Sequence, residues 1–179
     1  MQITKKLIKY NFTKCGNSKK YIVIHDTGNS GKGAGAMNHY TYFNGGDRGA
    51  SAHYFVDDKL VLHVVEDNDR SWHCGVKYGT SQLRREVTNS NSIGIEICVN
   101  PESNCEVAFN NAIELTKHLM KLYNISSSNV VRHFDACAKT CPSSMKADNW
   151  ALWDKFKNNL GEKDVFKVGE LTIINEKEY

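Results

Sequence analysis

Three side chains draw attention by where they stand in the chain. His25 closes the β-branched run Tyr21-Ile22-Val23-Ile24, Glu96 interrupts the apolar run 93–99, and His133 follows Val130-Val131-Arg132. A polar group in or at the end of a buried strand costs free energy unless it is paired or liganded. One such histidine is most often a satisfied core residue, but three such groups, with Cys141 eight residues after His133, point to a site. The chemistry that wants this set is metal-assisted hydrolysis. A catalytic zinc takes three ligands from His, Cys and carboxylate and leaves the fourth position to water, whose pKa falls to about 7. An amide substrate also needs a carboxylate to manage protons and a cation or donor to hold the oxyanion. Glu96 and Lys139 are available for these tasks. Spacing alone leaves alternatives open. His-x7-Cys is no zinc signature by itself, Cys137 is a second thiol four residues before Cys141, and Cys141 could equally be the nucleophile of a Cys/His peptidase.

The elements that must position these residues follow from periodicity. Residues 21–25 read as a buried strand that delivers His25 to a loop. Met37, Tyr40 and Phe43 recur at near-helical spacing over 36–43, ended by Gly45-Gly46. Residues 52–56 and 60–65, joined by Asp57-Asp58-Lys59, read as a β-hairpin. Residues 66–92 are rich in polar and turn-forming types, and so long a loop in a compact domain is usually functional. After the strand 93–99 comes an amphipathic helix with Ala108, Ala112, Leu115, Leu119 and Leu122 on one stripe. Residues 130–133 form a last short strand. A closing helix over 147–160 carries Trp150, Trp153 and Phe156 on one side and is capped by Gly161. Strands interleaved with helices, one pair of them a hairpin, give an α/β domain with a mixed sheet.

A chain of 179 residues suffices for one domain with its own core. Its net charge of +3, with no dense Lys/Arg block, argues against a nucleic-acid groove. No apolar run approaches the ~20 residues a bilayer span needs, and the first ten residues lack the apolar core of a signal peptide. The chain is therefore expected to be made in the cytoplasm and to insert in no membrane. Cysteines 15, 74, 98, 105, 137 and 141 form no Cys-x-x-Cys pair, so all but Cys141 are read as free, mostly buried thiols. His53 and His63 fall on the hairpin strands as sheet-face residues, while His39 and His118 fall in helical stretches. Trp72, in the long loop, is a better candidate for contacting a ligand than Trp150 or Trp153, which sit at helical spacing. Residues 161–179 begin with charge, contain an apolar stretch at 171–174, and read as a linker or the start of a further region after a domain spanning 1–160.

Five ordered segments carry a resemblance: Ile22-Val23-Ile24-His25-Asp26-Thr27; Ser51-Ala52-His53-Tyr54-Phe55-Val56; Ser71-Trp72-His73-Cys74-Gly75; Asn91-Ser92-Ile93-Gly94-Ile95-Glu96-Ile97; and Arg132-His133-Phe134-Asp135 running to Lys139-Thr140-Cys141-Pro142. Over residues 20 to about 158 the chain resembles the N-acetylmuramoyl-L-alanine amidases, a family that includes T7 lysozyme-like, AmpD-like and peptidoglycan recognition protein-like members. The resemblance implies a mixed central sheet flanked by helices with a zinc site at one edge. It implies His25, His133 and Cys141 as zinc ligands, Glu96 and Lys139 as catalytic groups, and His73 and Trp72 near the substrate. Non-catalytic recognition proteins of this family typically lack the cysteine, so Cys141 favours an enzyme over a binder. T7 lysozyme has a tyrosine where this chain has Ala52, which shifts proton handling toward Glu96. The implied substrate is peptidoglycan, cut by a monomer at the bond between the lactyl group and L-alanine. The last segment most resembles endolysins of phage or prophage, released to the wall at lysis.

Overall fold

The structure, a computed structural model, describes residues 2–161 apart from Gln82. The core is a six-stranded sheet in the order β1-β5-β4-β7-β3-β8, built from β1 (Ile3–Lys5), β3 (Tyr21–Asp26), β4 (Tyr54–Val56), β5 (Val61–His63), β7 (Ser92–Ile97) and β8 (Val130–Arg132). Strands β4, β7, β3 and β8 run parallel, while β5 pairs antiparallel with β4 and β1 joins it in its own direction. A second sheet pairs two short strands, β2 (Phe12–Thr13) and β6 (Arg70–Ser71), the latter within the stretch 66–92 read as loop. The helices are α1 (Ala36–Asn44), α2 (Cys105–Tyr123), α3 (His133–Cys137) and α4 (Ala147–Leu160). No described helix is long and apolar enough to cross a membrane.

Alternation along the central strands sorts side chains onto two faces. Ile22, Ile24, Ile93, Ile95 and Ile97 join Leu115 and Leu119 of α2 and Trp153 and Phe156 of α4 in the larger cluster. Asn104 starts α2 by accepting the backbone N–H groups of Glu106 and Val107 on its side chain, which satisfies two of the helix's orphan donors. The opposite face is split. Phe55 and Leu62 pack with α1, whereas Val23 and Val131 pack with Cys74, Val87 and residues of α3. His25 and Glu96 belong to this second face and stand opposite one another in the β3–β7 register.

Three sequence expectations are corrected. Leu122 is 56% exposed, because the buried face of α2 runs instead through Phe109, Ile113, Thr116 and Met120. Residues 148–150 have left-handed backbone, so regular helix begins after Trp150, whose ring lies under the Arg132 guanidinium at 4.3 Å. His133 opens α3 rather than closing a strand, since the Asp135 carboxylate captures the Arg132 backbone N–H at 2.9 Å and turns the chain there. The five cysteines other than Cys141 are free and mostly buried, as expected: Cys74, Cys98 and Cys137 are buried, Cys15 and Cys105 exposed.

Candidate metal centre and active-site cleft

The parallel strands β3, β7 and β8 end on one side of the sheet, the side where open α/β sheets bind ligands. His25 leaves the end of β3, His133 begins α3 directly after β8, and Cys141 returns in the loop after α3. Their ligating atoms all lie within 4.8 Å of one another, and all three residues are buried. The two Nδ1 atoms face each other at 3.0 Å, and Cys141 Sγ lies 3.8 Å from His25 Nδ1. Cys137, the competing thiol, points elsewhere: it donates to the Cys74 carbonyl at 3.0 Å and lies 3.5 Å from Lys77 Nζ.

Two anchors hold Cys141 in place. Asp26 accepts the Ser144 backbone N–H at 2.6 Å and the Ser143 hydroxyl at 3.1 Å, while the Cys141 carbonyl accepts the Phe134 N–H at 2.9 Å. Burial, with His133 and His73 adjacent, holds the His25 imidazole well below its ordinary range, so the ring is neutral at pH 7. Burial together with the nearby Glu96 pushes the Cys141 thiol up. A cation arriving here therefore meets two imidazoles and a thiol that must give up its proton to bind.

Glu96 stands beside this cluster, its Oε1 3.8 Å from His25 Nδ1. Burial and the neighbouring Asp26 push its carboxyl up to about 8, against a smaller opposing effect of Lys139. Its Oε2 is buried without a hydrogen-bond partner. The side chain does not face outward into solvent: it is only 20% exposed. Lys139 is exposed on the rim, its Nζ 5.6 Å from the Tyr78 ring centre. A cleft of about 350 Å³ brings His25, His133 and Cys141 together with Glu96, Lys139 and Trp72. The Trp72 indole is oriented by donating to Thr13 Oγ1 at 3.0 Å. His73 also lines the cleft, but both its ring nitrogens are engaged within the protein, Nδ1 with His25 Nε2 at 3.0 Å and Nε2 with Ser92 Oγ at 3.1 Å.

Of the histidines outside the cluster, three have structural partners and one faces solvent. His53 is fully buried and bonded through its ring to Ser71, Gly94 and Asp69, His63 faces Asp67 at 3.4 Å, His39 stacks on Phe55, and His118 is exposed on α2. Sequence reasoning missed Asp26, Asn89 and Ser92 as supports of the site. Asp26 was visible as a second polar residue at the end of an apolar strand; Asn89 and Ser92 carry no local signal.

The family model described as N-acetylmuramoyl-L-alanine amidase (Amidase_2) matches residues 16–144. The N-acetylmuramoyl-L-alanine amidase XlyA of Bacillus subtilis (strain 168) is 37% identical over 141 residues, which are 79% of this chain and 44% of XlyA. The amidase CwlL of Bacillus licheniformis is 32% identical over an alignment 191 positions long, gaps included, that covers 99% of this chain and 52% of CwlL. The chain thus spans about half the length of the curated relatives it matches. The solved catalytic domain of XlyA superposes with a TM-score of 0.77 at 34% identity, covering 90% of this chain and 100% of that domain. The conclusion from matched length, identity and superposition is that this chain belongs to the N-acetylmuramoyl-L-alanine amidase family.

Proposed function

We propose that the chain is a zinc-dependent N-acetylmuramoyl-L-alanine amidase that hydrolyses the bond between the lactyl group of N-acetylmuramic acid and L-alanine in peptidoglycan. The observation that carries this reading is the convergence of His25, His133 and Cys141 beside Glu96 in one cleft. The donor set fits zinc: two imidazole nitrogens and a thiol, buried together, leave room for a fourth ligand. Zinc held there supplies Lewis acidity toward the scissile carbonyl and the attacking water. The protein's own groups do the rest. Glu96, its free Oε2 aimed at no protein donor, takes the proton of the attacking water and passes it to the leaving amine of L-alanine. Its carboxyl, raised to about 8 in the metal-free chain, would be returned toward the proton-accepting carboxylate by a cation bound beside it. Lys139 on the rim supplies a cation to the developing oxyanion, and Trp72 offers an aromatic face to the glycan or stem peptide.

Mass spectrometry of purified walls digested with the chain tests the bond: new amino termini should appear on L-alanine and nowhere else. Binding to walls without release of such termini would instead make the chain a recognition module. Activity that survives a chelator but not thiol alkylation would make it a cysteine peptidase. Release to the wall at phage lysis, action as a monomer, and a linker or further region beyond residue 160 belong to the same proposal.

A further inference from the structure

We infer that His73 is a positioning residue that fixes the tautomer of His25, through a hydrogen-bond relay running from the Thr88 carbonyl to the metal-facing nitrogen. The inference rests on the metal reading above. The proton order along the relay follows from one end. A backbone carbonyl only accepts, so the Ser92 hydroxyl, 2.5 Å from Thr88 O, spends its single proton there. Toward His73 Nε2, at 3.1 Å, Ser92 Oγ must then accept, which puts the His73 proton on Nε2. A neutral imidazole has one N–H, so His73 Nδ1 carries a lone pair and accepts from His25 Nε2–H at 3.0 Å. His25 Nδ1 is left with its lone pair directed at the space shared with His133 Nδ1 and Cys141 Sγ.

The surroundings hold His73 for this task. A Cβ on Gly94 of β7 would lie 2.7 Å from His73 Cγ, so the ring sits directly on a strand position that tolerates no side chain. The Asn89 side-chain oxygen accepts the backbone N–H groups of His73 at 3.2 Å and Cys74 at 2.9 Å, pinning the chain on either side of the ring. A residue placed only to fill space needs none of this directionality. Partners that orient a metal ligand typically contribute 10–100-fold to metal affinity.

The test is a competition titration of the metal-free chain with Zn²⁺ against a chromophoric chelator, together with ¹⁵N-detected tautomer assignment of His25 by NMR. Wild type should show the Nε2–H tautomer before metal is added. His73→Phe should mix the tautomers and weaken Zn²⁺ binding about 10–100-fold. His73→Asn places an amide oxygen near the lost Nδ1 and should restore most of the affinity, which a purely structural role would not predict. If His73→Phe fails to fold, Ser92→Ala, which deletes a single hydroxyl, should shift both readouts in the same direction. Unchanged tautomer and unchanged affinity in the folded variants would overturn the relay. If wild type itself binds no Zn²⁺, the metal reading fails, and the tautomer spectra alone then decide for or against the relay.

Discussion

Glu96 shows how one side chain can be costly to the fold and useful to the chemistry. A carboxylate with an unpartnered, buried Oε2 is poorly solvated, and its pKa is raised from the ordinary 4.5 to about 8. The folded chain therefore holds that proton more tightly than the unfolded chain does. By linkage the metal-free protein loses stability as pH rises from about 4.5 through 8, and the stability at lower pH is intact. Glu96→Gln removes that loss: the melting temperature of the metal-free variant should exceed wild type by more at pH 9 than at pH 6. Turnover should move the other way. General acid–base help is worth typically 10²–10⁴-fold, and Gln keeps the shape while removing the proton acceptor, so activity on soluble muropeptide should fall on that order with zinc still bound. Near wild-type turnover at neutral pH would remove Glu96 from the mechanism.

At the scale of elements, stability and chemistry sit on opposite faces of one sheet. Helix α2 covers the face carrying Ile22, Ile24 and Ile95, whereas β3 and β7 present His25 and Glu96 on the other. Leu119 is fully buried in the α2 interface. Leu119→Ala should cost about 2–5 kcal/mol by denaturant unfolding, from lost transfer energy plus the cavity left behind. Its effect on Zn²⁺ affinity should be slight, because the metal ligands leave the other side of the strands. A parallel loss of affinity in a variant that remains folded would mean the two faces are coupled more tightly than the packing indicates.

At the scale of the whole molecule, α4 is the last element among the described residues. Phe156 and Leu160 of α4 are buried in the main cluster, and Gly161 turns the chain with φ +73°. The expectation for residues 162–179 lies outside the described residues; we propose that the core folds without them. Truncation after Gly161 should therefore shift the melting temperature by no more than about 2 °C and leave activity on soluble muropeptide unchanged. A larger drop would show that the apolar stretch 171–174 packs on this core. Metal removal should act on the entire fold. Zinc at ~1,000 times its Kd stabilises the native state by about 4 kcal/mol, so stripping it with chelator should lower the melting temperature on the order of 10 °C, recovered on adding Zn²⁺. No shift in either direction would speak against a structural hold by His25, His133 and Cys141.

Legibility followed the range of the interactions involved. Sequence alone was enough to pick out His25, Glu96 and His133, because a polar residue at or within an apolar β run breaks a period-two pattern that is purely local. It was enough for most of α2 as well, where the apolar stripe follows the helical period. The three-residue β1 and the two-residue β2 and β6 were out of reach, since so short a run becomes a strand only when a partner supplies its hydrogen bonds. Leu122 kept helical spacing yet fell outside the buried face, and Trp150 packs on the core from ahead of the regular helix, for spacing says which residues share a face and not where the helix begins or how it is rotated on the sheet. Tertiary structure alone decided the support of the site. His73 lies 48 residues from His25 in the chain, and Ser92 a further 19. Only the parallel register of β3 with β7, and the seat that Gly94 leaves open on it, bring the three into one line of hydrogen bonds.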